Sequence, residues 1–136
     1  MSITSPILAT VYVAVGGALG SVARYQLGRF MTQWLGAAPM SAFPFATLAV
    51  NTIGSLAMGL LAGLLLRMGG DSADGWRLLV GVGLLGGFTT FSAFSLEMAM
   101  LVQRGQVGLA GIYALLSIGL GVTGLLFGLS LSRIGA

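Results

Sequence analysis

Gly83-Leu84-Leu85-Gly86-Gly87-Phe88-Thr89-Thr90-Phe91-Ser92-Ala93-Phe94-Ser95-Leu96-Glu97 combines a glycine pair, four hydroxyls, three phenylalanines at three-residue spacing and a carboxylate. These groups sit inside a segment otherwise apolar enough to cross a bilayer. Polar groups at that depth are costly, and they usually face a cavity or a path rather than lipid.

The rest of the chain has the same solvent in mind. Of its 136 residues 57% are hydrophobic and 7% charged, and the mean hydropathy is +1.02. An ordinary globular chain is about a quarter charged, so the composition reads as an integral, multi-pass membrane protein. Six basic residues against three acidic ones give a high isoelectric point through scarcity of acids. All six are arginines and none cluster, so no nucleic-acid partner is expected. The chain has neither Cys nor His, which removes disulfides, thiol nucleophiles, imidazole bases and most transition-metal sites. With so few acids no general base or nucleophile is left, and the chain is not expected to be an enzyme. Met1-Ser2-Ile3-Thr4-Ser5 carries no positive charge, so a removable signal peptide is not expected.

A helix needs roughly 20 apolar residues to cross about 30 Å of hydrocarbon. Four such blocks are predicted, at about 7–30, 45–66, 78–102 and 107–132, in one all-α domain covering 1–136. Pro6 opens the first, at a position where proline is compatible with a helix start. Gly36-Ala37-Ala38-Pro39 and Pro44 punctuate the chain before the second, and the polar turn Gly69-Gly70-Asp71-Ser72-Ala73-Asp74-Gly75 precedes the third. Only Gln103-Arg104-Gly105-Gln106 separates the last two, which must therefore be antiparallel neighbours. Twenty-three glycines would be a burden in water, but in membranes they let backbones approach. Gly16-x-x-x-Gly20, Gly59-x-x-x-Gly63, Gly83-x-x-x-Gly87 and Gly124-x-x-x-Gly128 read as packing notches without chemistry.

Within the third block, two glycines followed by bulky and β-branched residues make a poor continuous helix. A break near mid-membrane is expected at Gly86–Thr90. Unwound backbone at depth must be buried in protein or line a cavity, where its carbonyls can hold a hard cation such as Na⁺. Thr89, Thr90, Ser92 and Ser95 either bond back to the preceding turn or offer hydroxyls to a path. Phe91 and Phe94 share a face; they serve packing, or they present positive ring edges to a small anion. Glu97 lies one turn further, suited to a pore mouth or an arginine partner. On the second helix Thr47, Asn51 and Ser55 form one stripe, and Asn51 either bonds a neighbouring helix or gives its amide to an anion. Arg24 shares a face with Gly17, Gly20 and Gly28, and either snorkels or draws anions into a vestibule. Tyr113 and Ser117 stand one turn apart on the fourth helix, as interhelical glue or as part of the path.

Taken in order, Gly16-Gly17-Ala18-Leu19-Gly20-Ser21-Val22-Ala23-Arg24-Tyr25, Thr47-Leu48-Ala49-Val50-Asn51 and Gly86-Gly87-Phe88-Thr89-Thr90-Phe91-Ser92-Ala93-Phe94-Ser95 resemble the Fluc (CrcB) family of fluoride channels. The likeness covers nearly the whole chain. It implies an antiparallel, dual-topology homodimer in a prokaryotic inner membrane, with two parallel fluoride pores and a structural Na⁺ on the two-fold axis. By position, Phe91, Phe94, Asn51, Thr47, Ser92, Tyr113 and Ser117 resemble the pore residues, with Arg24 and Glu97 at the vestibule. The carbonyls of Gly86 and Thr89 would hold Na⁺. Ala93 stands where many relatives carry Thr, so Ser92 or Thr90 would supply the hydroxyl there. A small-multidrug-type proton-coupled exporter is the alternative of similar size, but it needs a carboxylate in the first helix, where this chain has none. A non-transporting packing subunit would explain the glycines but not Asn51.

With both termini on one side, Arg67, Arg77 and Arg133 oppose Arg29 and Arg104, and counting Arg24 as an end residue levels the tally. Orientation follows the Lys/Arg excess in short loops, so copies are expected to insert both ways. Moving one or two arginines between the two ends should lock one orientation, as read by paired reporter fusions at the C-terminus; strong one-way insertion of the native chain would contradict the charge map.

Overall fold

The computed structural model describes residues 5–134, with Asp71, Ser72 and Ile134 described by backbone alone. Met1–Thr4, on which the signal-peptide reading largely rests, lie outside them. The described chain is all helix and turn. Helix α1 (Pro6–Leu35) starts with Pro6 at its first position, and the Ser5 hydroxyl accepts the Leu8 N–H at 3.3 Å. A short helix, α2 (Ala37–Ala42), leads to α3 (Phe45–Met68). Then come α4 (Gly70–Trp76), a π-helical stretch (Arg77–Leu85), the single turn α5 (Gly86–Phe88), α6 (Phe91–Gln103) and α7 (Val107–Ile134). Four segments are long and apolar enough to cross a membrane: Pro6–Leu35, Phe45–Met68, Ala73–Gln103 and Val107–Arg133.

Two stretches expected as connections are helical. Ala37–Ala42 forms α2 because Gly36, at φ 89°, takes the reversal itself and leaves the alanines free to coil. The polar turn before the third span is likewise mostly α4. Gly69 and Gly70 carry the reversal at φ 60° and 68°, and Asp74 pairs with Arg77 at 3.5 Å across one turn. The π-helical stretch is a further departure from the ordinary helix anticipated from Leu78. Its wide turns end where the Gly86 N–H is shared between the Gly81 and Gly83 carbonyls.

Packing rests on backbone contact. A Cβ at Gly83 would meet the Gly16 Cα at 2.9 Å and the Val13 carbonyl at 3.0 Å, and one at Gly87 would meet the Gly17 carbonyl at 2.6 Å. Helix α1 therefore lies directly on the π-helical stretch and α5. In the same way Gly59 and Gly128 lock α3 against α7, a Cβ at Gly59 running into Leu125 and one at Gly128 into Leu56 and Leu60. Large apolar side chains point outward instead, among them Leu115, Ile118 and Phe127. Such an exterior suits hydrocarbon or a second copy of the chain.

The two ends are tied by arginines. Arg104 donates to the Ser41 carbonyl at 3.2 Å at one end, and Arg67 to the Ser132 carbonyl at 2.8 Å at the other. Gly16→Ala should destabilise the fold by about 1–3 kcal/mol because its Cβ has only backbone to displace, whereas Gly108→Ala, which meets open space, should cost nothing; detergent-phase thermal melts compare them.

Candidate ion path

Thr89 (φ −81°, ψ 161°) and Thr90 (φ −153°, ψ 122°) are extended, between α5 and α6. Here the hydrogen bonds of a helix are rerouted. The Asn51 side chain pairs with the Thr90 peptide on both sides: its Nδ2 donates to the Thr90 carbonyl at 3.0 Å, and its Oδ1 accepts the Thr90 N–H at 2.8 Å. A carboxamide has the same donor and acceptor set as a peptide, so Asn51 serves Thr90 as a neighbouring strand would. The Thr90 N–H is thereby withdrawn from the Gly86 carbonyl, its partner in a continuous helix. The Ala93 N–H, which would serve the Thr89 carbonyl, goes instead to the Thr90 hydroxyl at 3.2 Å. Arg24 takes up the carbonyl so released, its guanidinium donating to Thr89 O at 3.2 Å. The same two carbonyls, Gly86 and Thr89, are those the family likeness assigns to Na⁺. Their helical donors are gone, and carbonyl oxygens so freed are the ligand type a hard cation takes, with Arg24 engaging one of the two.

A second cluster lies nearer the α2 end. Glu97 accepts from the Thr47 hydroxyl at 2.6 Å through Oε1 and from the Tyr113 hydroxyl at 2.7 Å through Oε2. These three residues come from α3, α6 and α7, and Tyr113 has no exposed surface at all. Phe94 packs on the Tyr113 ring with centroids 5.1 Å apart, and Phe91 stands 5.7 Å from Phe94. Glu97 is thus bound by hydroxyls. Arg104 lines a crevice of about 200 Å³ that reaches Glu97 beneath α2.

Arg24, Thr47, Thr90 and Ala93 line a larger cavity of about 610 Å³, which Arg29 shares. Phe91 is 78% exposed. Ser92 shares a hydrogen with Thr90 at 3.2 Å, and Ser95 bonds back to the Phe91 carbonyl at 2.9 Å. The Ser117 hydroxyl is buried and has no partner among the described residues. A third cavity, of about 230 Å³, is lined by Asn51, Ser55, Thr89, Thr90 and Phe91. Sequence reasoning placed Ser55 on the Thr47–Asn51 stripe and singled it out no further. The crevice beneath α2 had no signal in the sequence, because the pairing of that segment with the α6–α7 turn is tertiary.

Against proteins of known family, residues 11–129 match the family described as CrcB-like protein, Camphor Resistance (CrcB). The chain is 57% identical over 136 residues to the Fluoride-specific ion channel FluC of Erythrobacter litoralis, covering all of both chains. It is 56% identical over 125 residues to the FluC of Novosphingobium aromaticivorans, covering 92% of this chain and 96% of that one. With the Phenylobacterium zucineum FluC it shares 50% over 125 residues, 92% of this chain and 95% of the other. By these matches the chain is a multi-pass membrane protein of the CrcB family.

Proposed function

We propose that this chain forms a passive fluoride channel rather than an enzyme or a coupled exporter. The observation that carries the reading is the end-to-end similarity to a protein named Fluoride-specific ion channel FluC. The geometry supplies the donors such a path needs. Fluoride is small and tightly hydrated, so a dry path must replace its water with hydrogen-bond donors and positive ring edges. The Thr47 and Tyr113 hydroxyls, the Asn51 amide hydrogen not spent on Thr90, the buried Ser117 hydroxyl and the Phe91 and Phe94 rings are of that kind. Thr47 and Tyr113 hold their hydrogens toward Glu97. An anion gains those donors by exchanging with the carboxylate, so Glu97 acts inside the path, and Ser92 adds a hydroxyl beside Ala93. The cavity bearing Arg24 and Arg29 is the vestibule, where fixed positive charge raises the local concentration of anions.

Two copies in opposite orientations complete the site. Support comes from the near-level arginine balance and from Phe91, an aromatic turned outward from the single chain. In the antiparallel homodimer each Phe91 faces the partner copy, giving two pores, and the extended Thr89–Thr90 turn lies at mid-membrane on the two-fold axis. The Gly86 and Thr89 carbonyls of both copies would hold a structural Na⁺ there; a carbonyl has two lone pairs, so Thr89 can serve Arg24 and the ion. Bound, the ion supplies fixed positive charge beside the anion path. The exporter reading fails on α1, which has no acid between Pro6 and Leu35.

Purified protein in liposomes, loaded with fluoride and given a K⁺ ionophore, should release fluoride to an electrode without any proton gradient. A strict need for a proton gradient would overturn the channel reading. Phe91→Ile and Asn51→Ala should each lower the rate by about tenfold to hundredfold, as loss of donors to an ion implies, while dimers persist on size exclusion.

A further inference from the structure

The cavity of about 230 Å³ beside Phe91 lies beyond the Glu97 cluster, and most of its polar lining is already engaged. Asn51 is paired with the Thr90 peptide on both sides of its carboxamide. The Thr89 hydroxyl donates to the Leu85 carbonyl at 2.9 Å. The Thr90 hydroxyl is held by the Ala93 N–H and by Ser92. Ser55 is the exception. Several hydroxyls on these helices donate back to the carbonyl four residues earlier, as Thr10, Thr32, Ser95 and Ser130 do, while Thr52 and Ser117 are buried without a partner among the described residues. The Ser55 hydroxyl makes no hydrogen bond among the described residues, and it borders the cavity.

The facing helix leaves room for this. A Cβ built at Gly121 of α7 would stand 3.6 Å from the Ser55 Oγ, in ordinary contact. Glycine there adds no side chain and no hydroxyl beside the Ser55 Oγ. The cavity therefore holds an aromatic ring, Phe91, and one hydroxyl free to turn toward a guest. An uncommitted O–H is available as a donor to an anion.

We propose that Ser55 is a fluoride-binding residue of the path, donating its hydroxyl to the ion in the cavity beside Phe91, one helical turn past Asn51. This rests on the fluoride-channel reading and adds a donor which that reading does not contain.

The test uses the full-length protein in liposomes with fluoride as the probe. Ser55→Ala should lower fluoride efflux about tenfold with dimers of native size. Ser55→Thr, which keeps the hydroxyl, should conduct within about threefold of the native rate. Adding Gly121→Ser to Ser55→Ala places a hydroxyl on α7 beside the position of the lost Ser55 Oγ and should restore most of the flux. If Ser55→Ala conducts like the native protein, or if its defect is shared by Ser55→Thr and unmoved by Gly121→Ser, Ser55 acts by packing or not at all and the proposal falls. A native protein that releases no fluoride would instead overturn the channel reading itself, so the two failures are told apart.

Discussion

The Asn51 side chain and the Thr90 peptide exchange two hydrogen bonds, and the polar interior of this protein follows from that exchange. Away from water an unpaired N–H or C=O costs about 1–3 kcal/mol, so an extended residue inside a hydrophobic segment needs a partner of matching shape. Asn51 is that partner. Once the Thr90 N–H is spent on it, the Gly86 carbonyl loses its helical donor, and the Thr90 hydroxyl turns to cap α6 at Ala93. The Thr89 carbonyl is left for Arg24. Gly54, three residues beyond Asn51, has no side chain to obstruct the Thr89 methyl that fills its place.

Glycine and polarity divide the labour across the fold. At Gly16 and Gly83, Gly17 and Gly87, and Gly59 and Leu125, backbone touches backbone and nothing titrates, while the Ser132 side chain fills the notch at Gly63. Dispersion between closely approached backbones then holds the bundle where the hydrophobic effect between helices is weak. That leaves the polar side chains of α3, α6 and α7 free for one another. Thr47, Glu97 and Tyr113 are 50 and 16 residues apart in sequence and within hydrogen-bond distance in space. A carboxylate whose oxygens both accept hydroxyl hydrogens is an unusual neighbour for the proposed anion path, and it means that donors and their resident acceptor are built in together.

The sequence was most informative where local physics decides the outcome. Hydropathy and length give four spans whose ends lie within a few residues of the helices seen, and Pro6 and Gly105 mark boundaries for the reasons expected. The glycine pairs announce close packing. Less was legible where several elements must meet. Asn51 had two readings, and only the position of Thr90 opposite it discloses a peptide-like pair. Glu97 offered a pore mouth or an arginine; the fold gives it Thr47 and Tyr113, because α6 packs beside the seam where α3 meets α7. Gly36 and Gly69-Gly70 turn the chain so economically that the stretches after them coil, which composition alone described as a loop and a turn. The π-helical turns from Arg77 to Leu85 have no signature in residue type.

The central proposal is that Asn51, by holding Thr90 extended, frees the Gly86 and Thr89 carbonyls for the proposed Na⁺. Melting temperature in detergent as a function of Na⁺ at constant ionic strength tests it most directly, for the native protein and for Asn51→Leu. The account predicts that Na⁺ raises the native melting temperature in a saturable way and leaves Asn51→Leu unmoved. An equal Na⁺ response in both proteins would contradict it.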